Sequence, residues 1–452
     1  MPALKRNVGV FGAASMGIAN IIGAGIFVLS GVAAGIAGPS VILSFLAAGG
    51  VALLTALSAA ELSSFITETG ASYAFTKRAF GRFWSFLVGW FKYFDYIVGA
   101  ATVSVGFAAY FTELFGLQVT TALLCAAVGL PIVLTVLNII GVRETANATT
   151  GMVLIKVFAI VLVLLAGGYH LARHFDLAHF TPFFPTGING TLHGAAIIFF
   201  AFLGFNTVSM MSEETRDPAH TIPRALILAF IVSFVLYMCI AAVEIGVLDW
   251  RMLAGTASPL DMLARKVSHF RPFIDLIAFS ALVATGSVVL SSIVGGTRAS
   301  YAMGRDRLLP HPFERVSKRF GTPYISILFS GGVIITLAAV FYDDIGTIAS
   351  VVNFGSLFTY LFVHLSLIKL RQAEPDVPRP FRAPLYPVVP VLGVSTIVGL
   401  MVYLTTTAQI AAVIWTVVGI GVYFLMSRGI YRDAHQRAVG TRHESHRFRR
   451  RR

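Results

Sequence analysis

The sequence predicts an all-α integral membrane protein with twelve transmembrane helices, and three observations carry that prediction. The chain of 452 residues is 56% hydrophobic and only 12% charged, whereas a soluble domain carries about 25% charged residues. Apolar runs of about 20 residues, the length that crosses a bilayer, recur twelve times along the chain. The basic residues also concentrate in alternate loops, as the positive-inside rule requires of a multi-pass protein.

The twelve predicted spans follow one another with short connections. Their approximate limits are 8–34, 39–66, 83–112, 120–140, 148–168, 191–212, 223–247, 273–302, 323–341, 344–368, 387–407 and 409–427. With both termini inside, the inner loops and termini hold 27 of the 34 lysines and arginines, and the outer loops hold 5. We therefore expect a multi-pass protein of the cell (plasma) membrane, with a cytoplasmic N-terminus at 1–7 and a basic cytoplasmic tail at 428–452.

The net charge of +13 does not indicate a nucleic-acid-binding protein, because much of it lies in that tail. The tail contains nine arginines and two acids, Asp433 and Glu444. This charge pattern is typical of a disordered segment beside anionic membrane lipids. The first apolar run is longer than the h-region of a signal peptide, so no cleavable signal peptide is expected.

The sequence offers no support for an enzyme. It contains no Walker-type glycine loop, no nucleophile elbow and no cluster of His and Cys ligands, so we expect no cofactor and no metal. Cys125 and Cys239 lie in apolar runs and are expected to be small core residues, which excludes a disulfide framework.

The first predicted span contains two glycines where a spanning helix should be firmest, within Ile22-Gly23-Ala24-Gly25-Ile26. Glycine costs up to about 1 kcal/mol relative to alanine inside a helix, and in hydrocarbon every freed backbone group needs a new partner. One interpretation is a discontinuous helix whose amides and carbonyls bind a substrate. The other is a face of small residues that packs against a neighbouring helix.

The sixth predicted span has a matching feature, with Gly204 and the polar Asn206 at its middle. Two interrupted spans in corresponding positions indicate a transporter built from inverted repeats. Five helices per repeat predicts a first repeat at 8–168, a second at 191–368, and two additional helices within 387–427. The alternative for the sixth span is an aromatic-rich core helix.

An amino acid carries a carboxylate and an ammonium, and the ends of broken helices suit both. The amides of Ala24, Gly25 and Ile26 would begin the second half of the first helix, which makes an anion site. The carbonyls expected to accept from the ammonium are those of Ile21, Ile22, Phe200, Phe202 and Leu203. The predicted substrate site therefore joins residues 21–26, including Gly23, to the middle of the sixth span.

Lys156 lies in the fifth predicted span with apolar neighbours on every side. A charge at bilayer depth costs about 2.5–3.5 kcal/mol, and such residues usually face a cavity and act. Desolvation favours the neutral amine, so Lys156 is a candidate to lose and regain a proton near neutral pH. The alternative is a side chain that snorkels to the cytoplasmic interface.

Other charges fall within or near the predicted spans. Asp95 follows Lys92 by one helical turn, and the two can neutralise each other. That arrangement leaves a structural ion pair and a substrate-binding role for Asp95 equally open. The remaining such groups, expected to be structural, are Glu61, Glu244, Asp275 and His364.

Several motifs occur in a fixed order between residue 17 and about residue 390. They are Gly23-Ala24-Gly25-Ile26-Phe27, Glu61-Leu62, Gly70-Ala71-Ser72-Tyr73, Leu203-Gly204-Phe205-Asn206, Glu213-Glu214-Thr215-Arg216-Asp217-Pro218, Ile222-Pro223, Arg305-Asp306-Arg307-Leu308-Leu309-Pro310 and Arg379-Pro380-Phe381-Arg382-Ala383-Pro384. With them the chain resembles the amino acid–polyamine–organocation (APC) superfamily. The segment from Asp95 to Thr102 is similar to the acidic-Tyr segment of the cationic amino acid transporter branch.

The resemblance implies a LeuT-like fold with 5+5 inverted repeats and broken helices 1 and 6. It implies that Phe200 caps the substrate as an aromatic gate and that Leu203 lines the side-chain pocket. Some relatives hold a lysine at the position of Lys156 in place of a sodium ion, against helix 1 and a helix 8 hydroxyl. The hydroxyl candidates in this sequence are Thr285 and Ser287.

The sequence thus predicts a secondary active amino acid permease that works by alternating access, with protons, membrane lipids and an amino acid as its partners. Asn206 stands where the cationic branch usually has an acid, so we expect neutral or broad-range L-amino acids as substrates. Their uptake is expected to be coupled to protons through Lys156. One alternative is an exchanger of amino acids or polyamines, including cationic ones, in which Lys156 stays charged. The other is a nutrient receptor that binds substrate without moving it.

Overall fold

The computed structural model describes residues 8–68, 70–117, 119–141, 146–212 and 215–426. The predicted cytoplasmic N-terminus (1–7) and the arginine-rich tail (428–452) therefore lie outside the described residues. Glu213 and Glu214, which open one of the loop motifs, lie outside them too.

Helices make up most of the described chain, and no β-strand occurs in that part of it, which confirms the all-α prediction there. The helices are α1 Val10–Ile21, α2 Ser30–Ala37, α3 Val41–Phe65, α4 Ser72–Phe80, α5 Arg82–Phe115, α6 Thr120–Ile140, α7 Ala146–Arg173, α8 Gly187–Ile198, α9 Asn206–Met210, α10 Pro218–Val247, α11 Trp250–Leu253, α12 Pro259–Val267, α13 Arg271–Arg305, α14 Tyr324–Val340, α15 Ile345–Ala373, α16 Val388–Val402 and α17 Thr406–Met426.

Nine helical stretches within the described ranges are long and apolar enough to cross a membrane. The first of them, Val10–Phe65, has 56 residues and changes direction at Gly38, whose φ of +67° lies in the left-handed region. Helices α14 and α16 are apolar but shorter, with 17 and 15 residues. The multi-pass prediction is confirmed, whereas the count of twelve spans and the division into two repeats stay predictions.

The two cysteines lie on the outside of the bundle. Cys125 on α6 and Cys239 on α10 are both free and exposed, so the prediction that they are small core residues is wrong. Large apolar side chains such as Leu154 and Leu165 on α7 are exposed as well. Because lipid tails are as apolar as a leucine side chain, an apolar run has the same composition whether a residue faces the core or the bilayer.

Buried ionic contacts fix the end of α3 next to the end of α15. Glu61 is fully buried, and Arg371 donates to its two carboxylate oxygens at 2.7 and 2.6 Å. The backbone amide of Ala383 donates to the same carboxylate at 2.7 Å. Arg379 lies against it with Nε 3.5 Å from Oε1 and donates to the carbonyl of Leu370 at the end of α15 at 3.0 Å. This cluster joins α3, α15 and the loop that precedes α16.

We expect Arg371→Ala to destabilise the protein by about 3–5 kcal/mol, because it leaves the buried Glu61 carboxylate without its bidentate partner. The matched control is Arg78→Ala, which removes an ion pair to Glu374 whose side chains are 37% and 28% exposed. Exposed pairs of that kind contribute about 0–1 kcal/mol. Thermal unfolding of the two purified variants checks the difference, and equal shifts in Tm would contradict the role of the cluster.

Two further groups expected to be structural have partners of different kinds. The ring of His364 on α15 is fully buried and lies 3.1 Å from Thr55 Oγ1 and 2.9 Å from Ser58 Oγ, both on α3. Asp275 forms an exposed ion pair with Arg271, one turn earlier on α13, at 3.4 Å. His364 thus fixes α15 to α3, whereas Asp275 stabilises the start of its own helix.

Candidate functional site

Two helices of the bundle are interrupted at their middle. Helix α1 ends at Ile21, Ile22 has φ −74° and ψ +83°, and the chain becomes helical again as a π turn at Gly25–Leu29. Helix α8 passes through a 3₁₀ turn at Phe199–Phe202, after which Leu203 is extended with ψ +155°. Gly204 then has φ +108°, and α9 begins at Asn206. Each interruption falls on the residues at which the sequence placed it.

The two interruptions contact each other at two glycines. A Cβ on Gly25 would lie 2.2 Å from Ala201 Cα, and a Cβ on Gly204 would lie 2.6 Å from the carbonyl oxygen of Asn20. Real Cβ atoms essentially never approach so closely, so only glycine allows either contact. The break and the small-residue packing face, which the sequence left as alternatives, are therefore both present at Gly25.

Some of the freed carbonyl groups already have protein donors. The Tyr237 hydroxyl on α10 donates to the carbonyl of Ile21 at 2.7 Å, and the amide of Gly23 donates to the same oxygen at 2.8 Å. The carbonyl of Phe200 accepts from the amide of Leu203 at 3.1 Å. These contacts occupy Ile21 and Phe200, two of the carbonyls predicted to accept from an ammonium.

Asn353 on α15 is a further site residue that sequence reasoning missed. Its side-chain amide donates to the carbonyls of Ala196 and Ile197 at 2.7 and 3.0 Å, which satisfies the last turn of α8 before the interruption. Asn353 and Tyr237 share one signal that could have found them. Each is a polar residue in the middle of an apolar span, where a hydrogen-bonding partner is required.

The predicted aromatic residues differ in their surroundings. Phe202 is fully buried and packs against rings of α3 and α10, namely Phe45, Phe230, Phe234 and Tyr237. Phe200 keeps 9% of its surface, and Leu203 is partly buried. The side chain of Phe202 is thus part of the core, while Phe200 and Leu203 lie at the interruption itself. The amide-bearing residues Ala24, Gly25 and Ile26 are buried beside them.

Lys156 lies between the first interrupted helix and α13. The residue is 2% exposed, and Nζ donates to Ser287 Oγ at 2.8 Å and to the carbonyl of Ala19 at 3.4 Å. Thr285, the other hydroxyl candidate, instead donates to the carbonyl of Ala281 in its own helix at 2.7 Å. The ammonium therefore connects α7 to the last turn of α1 and to α13.

Asp95 forms an ion pair with Lys92 at 3.4 Å. Its other carboxylate oxygen lies against Gly355 of α15, where an added Cβ would be 2.5 Å away. That oxygen is buried, and the hydroxyl of Ser356 on α15 lies within reach of the Asp95 carboxylate. The ammonium of Lys92 also lies 5.1 Å from the centroid of the Tyr96 ring. Asp95, which the sequence analysis considered as a partner for the substrate, is thus paired with Lys92.

Asn206 is buried at the start of α9, and its side-chain nitrogen has no hydrogen-bond partner in the described part of the chain. It lines a small cavity with Lys92 and Val88 of α5 and with residues 70–73. The polar residues of this lining are Asn206, Lys92, Ser72 and Tyr73. The charge of Lys92 is balanced by Asp95, so the described lining of the cavity offers no free carboxylate to a second cation.

Comparisons with known proteins give a consistent picture. A family model described as amino acid permease matches residues 8–423. The branched-chain amino acid permease BcaP of Bacillus subtilis is 31% identical, over 94% of both chains. The methylthioribose transporter of the same organism is 33% identical, also over 94% of both chains. Cationic amino acid transporter 4 of Mus musculus is 30% identical, over 83% of this chain and 61% of its own.

Proposed function

The chain belongs to the amino acid permease family of the APC superfamily, and we propose that it takes up neutral L-amino acids together with protons by alternating access. As a member of that family it is a transporter and not an enzyme. The excess of basic residues in alternate loops supports cytoplasmic termini in the cell membrane. Twelve spans in two inverted repeats, with α1–α2 and α8–α9 as the broken helices, form the framework of the proposal.

The observation that carries proton coupling is the position of Lys156. In its charged form the ammonium makes charge-assisted hydrogen bonds to Ser287 and to the Ala19 carbonyl, which are about twice as strong as neutral ones. A neutral amine would hold the end of α1 less tightly. Proton release from Lys156 would therefore loosen the broken helix next to the substrate, and protonation would fix it again.

The substrate is proposed to bind at the contact between the two interruptions. The amides of Ala24, Gly25 and Ile26 would receive its carboxylate at a helix start. The substrate ammonium would donate to the carbonyls of Ile22, Phe202 and Leu203. The carbonyl of Ile21 already accepts from the Tyr237 hydroxyl, and that of Phe200 accepts from the Leu203 amide. Substrate would thus bridge two half-helices that must move apart for access, which links binding to the change of state.

The direct test is uptake of labelled amino acids into proteoliposomes. Uptake above equilibrium driven by an inward proton gradient, and unchanged by an added sodium gradient, is the expected result. Uptake that occurs only when the vesicles are preloaded with amino acid would identify an exchanger. Binding without movement of label in either assay would identify a nutrient receptor.

We expect neutral aliphatic amino acids to be preferred over arginine and lysine. A cationic side chain needs a free carboxylate, whereas Asp95 is paired with Lys92 and Asn206 is neutral. BcaP is named for branched-chain amino acids and the mouse relative for cationic ones, so the family allows both outcomes. Competition by a panel of unlabelled amino acids against labelled leucine measures the preference.

Asn206→Asp tests the origin of that preference. Because Asp95 already balances the charge of Lys92, a carboxylate added at this position would be available to a cation and should raise the competition by arginine and lysine relative to leucine. Asp275→Asn, which changes an exposed acid on α13, should leave the order of competitors unchanged. If only cationic amino acids compete in the unmodified protein, the neutral preference is wrong and Asp95 becomes the candidate partner for the cation.

A further inference from the structure

Glu244 is a buried acid that the proposed transport cycle does not use. It lies one turn before the end of α10, and the residue is 2% exposed. Its carboxyl oxygen Oε1 is 3.0 Å from Ser30 Oγ, at the start of α2. No lysine, arginine or histidine forms an ion pair with it among the described residues. An ionised carboxylate without a cationic partner is costly at such a position.

The hydroxyl of Ser30 faces two oxygens but carries one hydrogen. Ser30 Oγ is 3.0 Å from Glu244 Oε1 and also 3.0 Å from the carbonyl oxygen of Ile26 in the π turn. A hydroxyl is one donor with two acceptor positions. If Glu244 is protonated, its O–H donates to Ser30 while Ser30 donates to Ile26, and both short contacts are hydrogen bonds. If Glu244 is ionised, Ser30 can donate to only one of the two oxygens.

The titratable groups on the elements around Glu244 each have another partner. Helix α5 presents Tyr110, whose hydroxyl donates to the carbonyl of Phe27. Helix α12 presents Asp261, which accepts from Arg265 at 2.5 Å. Before α8, His179 lies 3.0 Å from the carbonyl of Gly246, while α2 contributes no titratable side chain and α7 packs there through Leu171.

We propose that Glu244 is a second proton-binding site, which holds α2 against α10 when it is protonated. The direction in which Glu244 releases its proton rests on the proposed function, because the proposed orientation places the start of α2 on the extracellular side of the interruption. Helix α2 is covered there by the segment between α11 and α12, where an added Cβ on Gly31 would lie 2.8 Å from the carbonyl oxygen of Thr256. Opening this side would let water reach Glu244, which then gives up its proton to the outside.

Infrared difference spectroscopy of the purified protein tests proton binding without any need for transport. We expect the carbonyl stretch of a protonated carboxyl at neutral pH in the unmodified protein, and its loss in Glu244→Gln. Glu113→Gln, which changes a half-exposed acid in the same part of the molecule, should keep the band. Ser30→Ala removes the acceptor and should shift the band to higher frequency. A spectrum that Glu244→Gln leaves unchanged would overturn the proposal.

Exchange of labelled amino acid at equal pH on both sides tests the link to opening. A glutamine keeps a neutral donor toward Ser30 at every pH, so Glu244→Gln should retain exchange at alkaline pH where the unmodified protein loses part of it. Identical pH profiles of the two proteins would overturn the link. Failure of the transport proposal itself would appear differently, as absence of exchange in both proteins at every pH.

Discussion

Lys156→Ala is expected to abolish accumulation of amino acid against its gradient, so that internal and external concentrations become equal. The side chain is buried between α1, α7 and α13, and its ammonium donates to Ser287 and to the Ala19 carbonyl. Without it, no group at this position takes up and releases the proton that drives accumulation. Gradient-driven uptake into proteoliposomes measures the loss, and Lys369→Ala, at an exposed lysine on α15, is the control that should behave like the unmodified protein.

Lys156→Arg separates proton coupling from exchange. Arginine stays protonated in proteins, so it can keep the contacts to α1 and α13 but cannot complete a cycle of proton release and uptake. We therefore expect Lys156→Arg to lose accumulation as fully as Lys156→Ala, while substrate still binds in a thermal-shift assay. The exchanger alternative needs only a permanent charge and expects exchange by Lys156→Arg. Robust proton-driven uptake by this variant would refute the proton-carrier role of Lys156.

The sequence predicted the positions of the interruptions better than their surroundings. Glycine at 23, 25 and 204 is a local property of the chain, because its backbone cost in a helix does not depend on distant residues. The donors that satisfy the freed carbonyls come from far along the chain, namely Tyr237 to Ile21 and Asn353 to Ala196. No periodicity within a single span indicates which distant polar residue faces a given carbonyl.

The same limit explains the cysteines and the acids. Cys125 and Cys239 share the apolar composition of core residues, and only the packing of α6 and α10 shows that they are exposed. Glu61 and Glu244 are both acids near helix ends in the sequence. The fold gives Glu61 an arginine on α15 and gives Glu244 a serine on α2, so one is paired as an ion and the other is held by a hydroxyl.

Gly25→Ala and Gly204→Ala are both expected to reduce transport to the level of vesicles without protein. The added Cβ of Gly25→Ala would meet the backbone of Ala201 at 2.2 Å, and that of Gly204→Ala would meet the carbonyl of Asn20 at 2.6 Å. The obstacle to a side chain at Gly25 is therefore the second broken helix as well as the predicted carboxylate site. Either substitution separates the two half-helices whose backbone groups are proposed to bind the substrate together.

A double variant distinguishes backbone contact from side-chain packing at this position. Gly25→Ala combined with Ala201→Gly removes the Ala201 Cβ, which lies 2.6 Å from the added methyl group, but leaves Cα at 2.2 Å. We therefore expect no recovery of transport. Gly168→Ala on α7, where nothing lies within 4 Å of an added Cβ, should transport normally, and size-exclusion profiles identify variants that remain folded. Recovery of transport in the double variant would show that the obstacle was the Ala201 side chain and not the backbone contact. Gly25 would then be a side-chain packing residue, and the proposed site would lose the backbone contact on which it depends.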